Sequence, residues 1–172
     1  LRIKLGIDPT SPNIHLGRSI PLLKMRDFQN LGHQIVFIIG DFTARIGDPT
    51  GKSKTRPILT DVEVLENAKT YAQQIGKVLD TKRLHIVFNN DWLGKLTAID
   101  MIQITAKVTV SSLIERDDFT KRFKEEKAIY LHEFMYPLMQ GYDSVALDSD
   151  LELGGTDQTF NMLVGRDLQK AY

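Results

Sequence analysis

The first ninety residues alternate between short, strongly apolar runs and longer segments whose apolar residues recur at helical spacing. The runs are Arg2 to Ile7, Ile35 to Gly40 and Leu84 to Phe88. The middle run is apolar on both faces, which is typical of an internal parallel strand. Helices are predicted between the runs, from Arg18 and from Thr60. The order strand, helix, strand, helix, strand predicts a right-handed, doubly wound α/β sheet.

The boundaries of the two helices are predicted from residues with special backbone chemistry. Gly32 is a typical stop for the first helix, and a start near Arg18 keeps Pro21, which has no backbone N–H, within the first turn. Thr60-Asp-Val-Glu63 has the spacing of a capping box, in which each side chain accepts a hydrogen bond from the other residue's backbone. We therefore expect the second helix to begin at this box.

The second half of the chain is predicted to be a helical insertion followed by the return of the chain to the sheet. The expected elements are helices from Thr97 to Val108, from Ser111 and from Leu131 to Gly141, a strand from Ser144 to Leu153, and a last helix from Phe160 to Gln169. Acids alternate with bases from Arg116 to Lys127, which favours a solvated helix face or a partner surface over a nucleic-acid site.

The chain has 172 residues, enough for one domain with a sizeable core. We divide it into a first half of the α/β domain (1–96), a helical insertion (97–150) and the start of a second half (151–172). Because it begins at Leu1 rather than Met and ends at Tyr172 within a helical pattern, we interpret it as a piece of a longer protein.

Composition narrows the classes of function. The 22 basic and 22 acidic residues balance, so no overall field attracts nucleic acid. The lack of cysteine excludes disulfides and thiol chemistry and fits a cytoplasmic protein. No apolar run approaches the roughly 20 residues of a membrane helix, so no membrane partner is expected. No residue spacing suggests a zinc site, and no Ser/His/Asp or Cys/His pairing suggests covalent catalysis.

Carboxylates gather where the predicted strands and the following turns end. Open parallel sheets bind ligands outside the carboxyl ends of their strands. The acidic residues expected at this rim are Asp8, Asp41, Asp48, Asp91 and Asp157. Any one of them could be a turn or helix-capping residue. Together they suggest a site for a cationic group, a ribose or Mg²⁺.

The stretch from Gly6 to Arg18 predicts a nucleotide site at the end of the first strand. It lacks a glycine-rich phosphate loop, so His15, at a helix entrance, is expected to supply polar contacts. Taken alone, His15 is better explained as an ordinary surface or capping residue, and only its position at the helix entrance favours the site. Gly17 would let an adenine or a phosphate approach the backbone closely.

A second polar group lies on one predicted helix face. Tyr136, Gln140 and Asp143 stand at positions i, i+4 and i+7, which share a face of a helix. Such a stripe is commonly solvated, but apolar neighbours make a pocket lining the other possibility.

Four segments, taken in order, resemble the bacterial tyrosyl-tRNA synthetases, which belong to class I of the aminoacyl-tRNA synthetases. They are Gly6-Ile-Asp-Pro-Thr10 with His15-Leu-Gly-Arg18, Gly47-Asp-Pro-Thr-Gly51, Tyr136-x-x-x-Gln140-x-x-Asp143, and Gly154-Gly-Thr-Asp-Gln158. Each segment alone is weak evidence, but the order and spacing of the four make a close match to the family over essentially the whole chain. The resemblance implies a Rossmann-like catalytic domain interrupted by a helical connective insertion, which carries the tyrosine-pocket helix.

The resemblance also implies a tyrosine half-site. Asp48, Tyr136 and Gln140 would hold the ammonium group of tyrosine. Asp143 would receive the phenol hydroxyl, and Gln158 would lie near the carboxylate.

An ATP half-site is implied in the same way. Its expected members are Asp8, Thr10, His15, Gly17, Arg18, Gly155 and Asp157. Thr10, His15 and Arg18 would act at the phosphates and contribute to catalysis, and Asp157 would contact the ribose. ATP would be a substrate accompanied by Mg²⁺, tRNA(Tyr) a partner of the full-length protein, and the insertion the site of homodimerisation.

Three departures from the family pattern keep alternatives open. Arg18 replaces the second histidine of the first motif, and Lys4 stands where some members carry a tyrosine for the phenol. Nothing in the 172 residues resembles the family's Lys-Met-Ser-Lys-Ser loop, so this chain alone is expected to be weak or inactive. The alternatives are a non-catalytic tyrosine- or nucleotide-binding module of the same fold and a tryptophan-specific relative, against which Asp143 argues.

Overall fold

Four parallel strands form one sheet in the order β3-β2-β1-β4 in the structure, a computed structural model that describes residues 1–47 and 60–172. The strands are β1 (Arg2–Ile7), β2 (Gln34–Ile39), β3 (Leu84–Phe88) and β4 (Leu151–Glu152). The three strands predicted in the first ninety residues are confirmed to within one residue. With helices interspersed along the chain, the sheet confirms the predicted α/β class.

Helices connect and cover the strands. They are α1 (Leu16–Asn30), α2 (Thr43–Ile46), α3 (Asp61–Ile75), α4 (Asn90–Leu93), α5 (Ala98–Thr105), α6 (Val110–Ile114), α7 (Asp117–Lys124), α8 (Leu131–Ala146) and α9 (Thr159–Ala171). The capping box that starts α3 is confirmed. Thr60 donates its backbone N–H to the Glu63 carboxylate at 2.8 Å, and Thr60 Oγ1 accepts the Glu63 N–H at 3.3 Å.

The first two strands separate two packed layers. Ile3, Leu5 and Ile7 of β1 point to one face, where they join β2, α1 and α3 in the main apolar core. The alternate residues of β1 point to the opposite face, because successive side chains of a strand alternate. Lys4 and Gly6 therefore lie on the side that faces α8 and the cleft described below.

Helix α1 begins two residues earlier than predicted. The Arg18 N–H bonds the His15 carbonyl at 2.9 Å, so the first turn closes at Leu16. Pro21 consequently lies in the second turn, where its missing N–H removes the donor that the Gly17 carbonyl would meet in an unbroken helix. The predicted role of Gly32 as the helix stop is confirmed, since it follows the end of α1 with a left-handed φ of +86°.

The predicted strand from Ser144 to Leu153 is wrong over most of its length. Helix α8 continues to Ala146, because Asp143 and Ser144 extend its buried face. The helix ends at a turn in which Asp148 takes a left-handed φ of 47° and Arg2 donates to the Leu147 carbonyl. Only Leu151–Glu152 then pairs with β1.

A second apolar cluster joins α4, α5, α8 and α9, with Ile104, Met139 and Leu168 at its centre. It spans the boundaries predicted after residues 96 and 150, so the insertion and the segment after it share a core. Two glycines bring α8 and α9 close together. A Cβ added at Gly141 would stand 3.1 Å from the backbone nitrogen of Gly165.

The charge-dense stretch is not simply a solvated face. Arg122 binds both carboxylate oxygens of Glu133, and Arg116 binds Asp118 at 2.7 Å. Both guanidinium groups lie near the buried ring of Phe119. The outward side of α7 presents Phe123 beside the exposed Lys121 and Lys124.

The α8–α9 contact predicts a stability effect. Gly141→Ala should destabilise the protein by about 1–3 kcal/mol, because the new methyl group pushes against the α9 backbone. Gly17→Ala is the matched control in another helix, where the methyl group meets only the movable ring of His15. It should be neutral or stabilising by up to about 1 kcal/mol. Urea unfolding would measure both, and equal effects would contradict the packing argument.

Candidate active site

A cleft of about 730 Å³ opens at the carboxyl end of β1. Its walls are the end of β1, the entrance of α1, one face of α8 and the segment that follows β4. Open parallel sheets bind ligands at this edge, and the volume lies within the range of small-molecule sites.

Most of the predicted site residues meet in this cleft. Those that line it are Asp8, His15, Gly17, Arg18, Tyr136, Gln140, Asp143, Gly155, Asp157 and Gln158. Thr10 is not among the lining residues; its backbone N–H donates to the Asp8 carbonyl oxygen at 2.8 Å. Asp48 lies outside the described residues. Of the other rim acids, Asp41 is buried and accepts the Asn90 N–H at 2.9 Å, and neither it nor Asp91 lines the cleft.

The polar face of α8 forms the inner wall. Tyr136, Gln140 and Asp143 all line the cleft, so the pocket alternative to a solvated stripe is confirmed. Tyr136 and Asp143 are buried. The helical spacing therefore delivers three polar groups, one turn apart, to a single wall.

Asp143 forms the floor of the cleft and is 4% exposed. Its two oxygens accept hydrogen bonds from Trp92 Nε1 at 2.8 Å and from Asn89 Nδ2 at 3.3 Å. Burial raises the pKa of the Asp143 carboxyl to about 7, against the lowering effects of Lys4 and the two donors, while Glu152 raises it further. The group thus changes charge near neutral pH and is a ready acceptor above it.

Asp8 is held between two hydroxyl groups at the end of β1. Its Oδ1 accepts from Thr43 Oγ1 at 2.7 Å, and its Oδ2 accepts from Tyr136 at 2.9 Å. Only glycine fits at Gly40, because a Cβ there would overlap the Asp8 carboxylate and the Thr43 hydroxyl. The O–H of Tyr136 is therefore directed to Asp8, which fixes the orientation of the phenol.

The two predicted glutamines are linked by residues that the sequence did not single out. Asn161 is buried and donates to Gln140 Oε1 at 2.8 Å and to Gln158 Oε1 at 2.9 Å. Gln140 Nε2 donates to Glu152 at 3.1 Å, and Glu152 forms an ion pair with Lys4. The sequence signal for this arrangement is Lys4, a charged residue between the apolar Ile3 and Leu5 of β1.

The mouth of the cleft carries the predicted nucleotide residues. His15 is the N-cap of α1, makes no side-chain capping bond and is exposed. Arg18 donates to the hydroxyl of the buried Tyr71 at 3.0 Å, which holds its guanidinium at the edge. Gly155 and Asp157 are also exposed and lie across from the helix entrance.

Within the described ranges, 1–47 and 60–172, no three His, Asp or Glu side chains are placed to hold a metal ion together. No helix in this same part of the chain is both long and apolar enough to cross a bilayer.

An open parallel sheet with a polar, partly buried cleft at its carboxyl edge defines an α/β ligand-binding domain. The chain belongs to the class I tRNA synthetases: the family model described as "tRNA synthetases class I (W and Y)" matches residues 1–172. This agrees with the family resemblance of the four sequence segments.

Individual relatives are tyrosine–tRNA ligases. That of Moorella thermoacetica is 60% identical over 172 residues, and that of Carboxydothermus hydrogenoformans is 62% identical over 172 residues. Each alignment covers 100% of this chain and 42% of the relative. The chain therefore spans about two-fifths of the length of these relatives.

Solved structures show the same fold. The C-terminally truncated mitochondrial tyrosyl-tRNA synthetase of Aspergillus nidulans superposes with a TM-score of 0.87 at 26% identity, covering 98% of this chain and 52% of that one. The tyrosyl-tRNA synthetase of Archaeoglobus fulgidus, solved with L-tyrosine, gives 0.76 at 25% identity, covering 99% and 50%. These structures confirm the predicted class I catalytic fold.

The raised pKa of Asp143 predicts a pH-dependent stability. The folded protein keeps a proton that the unfolded chain releases at the ordinary value of 3.8, so the free energy of unfolding should fall as the pH rises towards about 7. Between about pH 5 and pH 8 the loss should be on the order of 2 kcal/mol.

Asp143→Asn should abolish this fall in the free energy of unfolding. The control is Asp91→Asn, which removes an exposed carboxylate on α4 and should leave the fall unchanged. Urea unfolding at the two pH values would measure the difference. If the parent and Asp143→Asn lost the same stability over this range, Asp143 would not be the titrating group.

Proposed function

We propose that this chain forms the tyrosine-activating site of a tyrosine–tRNA ligase. The full-length enzyme would join tyrosine to ATP as tyrosyl-adenylate and transfer the tyrosyl group to tRNA(Tyr) in the cytoplasm. The observation that carries the proposal is the buried Asp143, which forms the floor of a cleft whose mouth is the entrance of α1. The identity to tyrosine–tRNA ligases supports it.

In the tyrosine half-site, Asp143 accepts the phenol O–H from its buried position on the cleft wall. Gln140 and Tyr136 offer oxygen acceptors to the substrate ammonium one and two turns nearer the start of α8. We assign Asp8 to this half as well, because it orients the Tyr136 hydroxyl. Asp48 is proposed to complete the ammonium site.

In the ATP half-site, the first turn of α1 presents backbone N–H groups and a partial positive charge to phosphate. His15 and Arg18 add donors at this position, and Gly17 leaves room for close approach. Asp157, across the mouth, accepts the ribose hydroxyl groups, with Gly155 beneath them. Thr10 is proposed to contact the phosphates from the loop that follows Asp8, since it does not line the cleft wall.

The reaction requires no nucleophile from the protein. A carboxylate oxygen of tyrosine attacks the α-phosphorus of ATP, the new O–P bond forms, and the bond to the β-phosphate oxygen breaks. Pyrophosphate leaves with that electron pair. The protein aligns the two substrates and stabilises the growing charge on the leaving group, a role for His15 and Arg18. Mg²⁺ would enter with the triphosphate, and Gln158 would hold the attacking carboxylate.

Tyrosine-dependent exchange of pyrophosphate into ATP tests the proposal. The full-length protein should catalyse exchange, and the 172-residue chain alone should be weak or inactive. Exchange with tyrosine but not with tryptophan is expected, because Asp143 is placed for a phenol hydroxyl. If the full-length protein bound tyrosine but catalysed no exchange, it would be a non-catalytic binding module. Arg18 would then be the first candidate for the cause of the lost activity.

Asp143→Asn should raise the KM for tyrosine about tenfold to a hundredfold, because a charged acceptor for the phenol is lost. The weak use of phenylalanine should change far less. Asp91→Asn, an exposed acid on α4, is the control and should change neither substrate. If the variant used tyrosine and phenylalanine equally less well, Asp143 would not be the residue that binds the phenol hydroxyl.

We propose further that two copies associate through the helical insertion. Its described residues carry several exposed apolar side chains, which are Ile99, Ile102, Val110, Phe123, Tyr130 and Leu131. Such side chains are typical of the buried centre of a dimer interface.

The full-length protein should therefore sediment as a dimer, and Ile102→Lys should weaken the dimer. Val62→Lys on α3 is the matched control, since Val62 is as exposed as Ile102 and lies outside the insertion. A monomeric parent, or equal behaviour of the two variants, would contradict this interface.

A further inference from the structure

Lys4 and Glu152 form an ion pair beneath the cleft. The parallel register of β1 and β4 places the two residues side by side, and Lys4 Nζ lies 3.1 Å from Glu152 Oε2. The side chain of Lys4 is 1% exposed and that of Glu152 is 11% exposed. An ion pair this deeply buried is weak evidence for stability, because desolvation offsets most of its attraction. A role in the neighbouring site is the better explanation.

Glu152 determines how the Gln140 amide is oriented. An ionised carboxylate can only accept hydrogen bonds, so the group that faces it must be the Gln140 nitrogen, which donates to Oε1 at 3.1 Å. The amide oxygen is thereby directed away from Glu152 and accepts from Asn161 at 2.8 Å. An acceptor in this orientation suits an ammonium group, whereas a flipped amide would present a donor and repel it.

Lys4 holds the same helix and acts on its next polar residue. Its Nζ also donates to the Gln140 backbone carbonyl at 3.3 Å, which ties β1 to α8. The positive charge of Lys4 lowers the pKa of Asp143, and the negative charge of Glu152 raises it. The other groups that act on Asp143 are the neutral donors Trp92 and Asn89, so this ion pair supplies the charges that face it in the described structure.

We propose that the Lys4–Glu152 pair positions the tyrosine pocket: Glu152 fixes the Gln140 amide with its oxygen towards the substrate ammonium, and Lys4, bonded to the Gln140 backbone carbonyl, supplies the positive charge that faces Asp143. Both are positioning residues that act through Gln140 and Asp143. The inference rests on the proposed tyrosine site and extends it to residues outside the family segments.

The two halves of the pair have opposite electrostatic effects, which a purely structural role would not produce. Lys4→Met leaves Glu152 uncompensated and should make Asp143 harder to ionise. Glu152→Gln leaves Lys4 uncompensated and should make Asp143 easier to ionise. Glu152→Gln should also release the Gln140 amide, because a neutral amide at position 152 can either donate or accept.

The experiment measures the affinity of the full-length protein for tyrosine by isothermal titration calorimetry, at pH values from about 5.5 to 9. The parent should bind more tightly as the pH rises through a midpoint near the value of about 7 for Asp143. Lys4→Met should move this midpoint upward by about one pH unit, and Glu152→Gln should move it downward. At the alkaline end, Glu152→Gln should still bind about tenfold more weakly, because the ammonium acceptor is no longer fixed.

Lys170→Met is the matched control, since Lys170 pairs with Asp167 at the same 3.1 Å but on the exposed surface of α9. It should leave both the midpoint and the affinity unchanged. Circular dichroism of each variant shows whether it is folded. If Lys4→Met does not fold, the isosteric Glu152→Gln variant tests the proposal alone.

Folded variants whose midpoint and affinity match those of the parent would overturn the positioning role. A parent that binds no tyrosine at any pH would overturn the proposed function and this inference together. A parent that binds tyrosine while neither variant shifts the midpoint would overturn the inference only.

Discussion

Burial of the Asp143 carboxylate is the constraint on which the rest of the site depends. A carboxylate removed from water costs several kcal/mol unless donors and a counter-charge surround it. Here the donors are Trp92 of α4 and Asn89 at the end of β3, and the positive charge is Lys4 of β1. Three separate elements must therefore be assembled before the acid can be accommodated. The same arrangement leaves a partly satisfied, deeply placed acceptor, which is what recognition of a hydroxyl group at the end of a long side chain requires.

The close approach of α8 and α9 turns this acid into part of a larger binding surface. Gly141 and Gly165 have no side chains at the crossing, so the two helices pack almost backbone to backbone. That distance lets Asn161 of α9 reach Gln140 of α8 and, on its other side, Gln158. The two amides that line the cleft are thus linked through Asn161, which does not line the cleft itself.

Local features of the fold were predictable because their physical causes are local. The Thr60 capping box and the stop at Gly32 depend on neighbouring residues, and the structure reproduces both. The predicted strand from Ser144 to Leu153 failed for the opposite reason. Its apolar residues fit a strand, but the helix continues because Asp143 has partners on distant elements, and it ends where Arg2 meets the Leu147 carbonyl. Neither contact can be read from the residues of that segment.

The sequence by itself determined which chemical groups are available and roughly where each lies along the chain: acids and glycines at strand ends, a histidine at a helix entrance, and three polar residues at helical spacing. Only the tertiary structure decided which of them meet. Asp8 and Tyr136 form a hydrogen bond although 128 residues separate them, and Lys4 meets Glu152 because β1 and β4 pair in one particular register. Strand register and helix packing arise from the whole core, so side-chain partners that depend on them are not encoded in any local pattern.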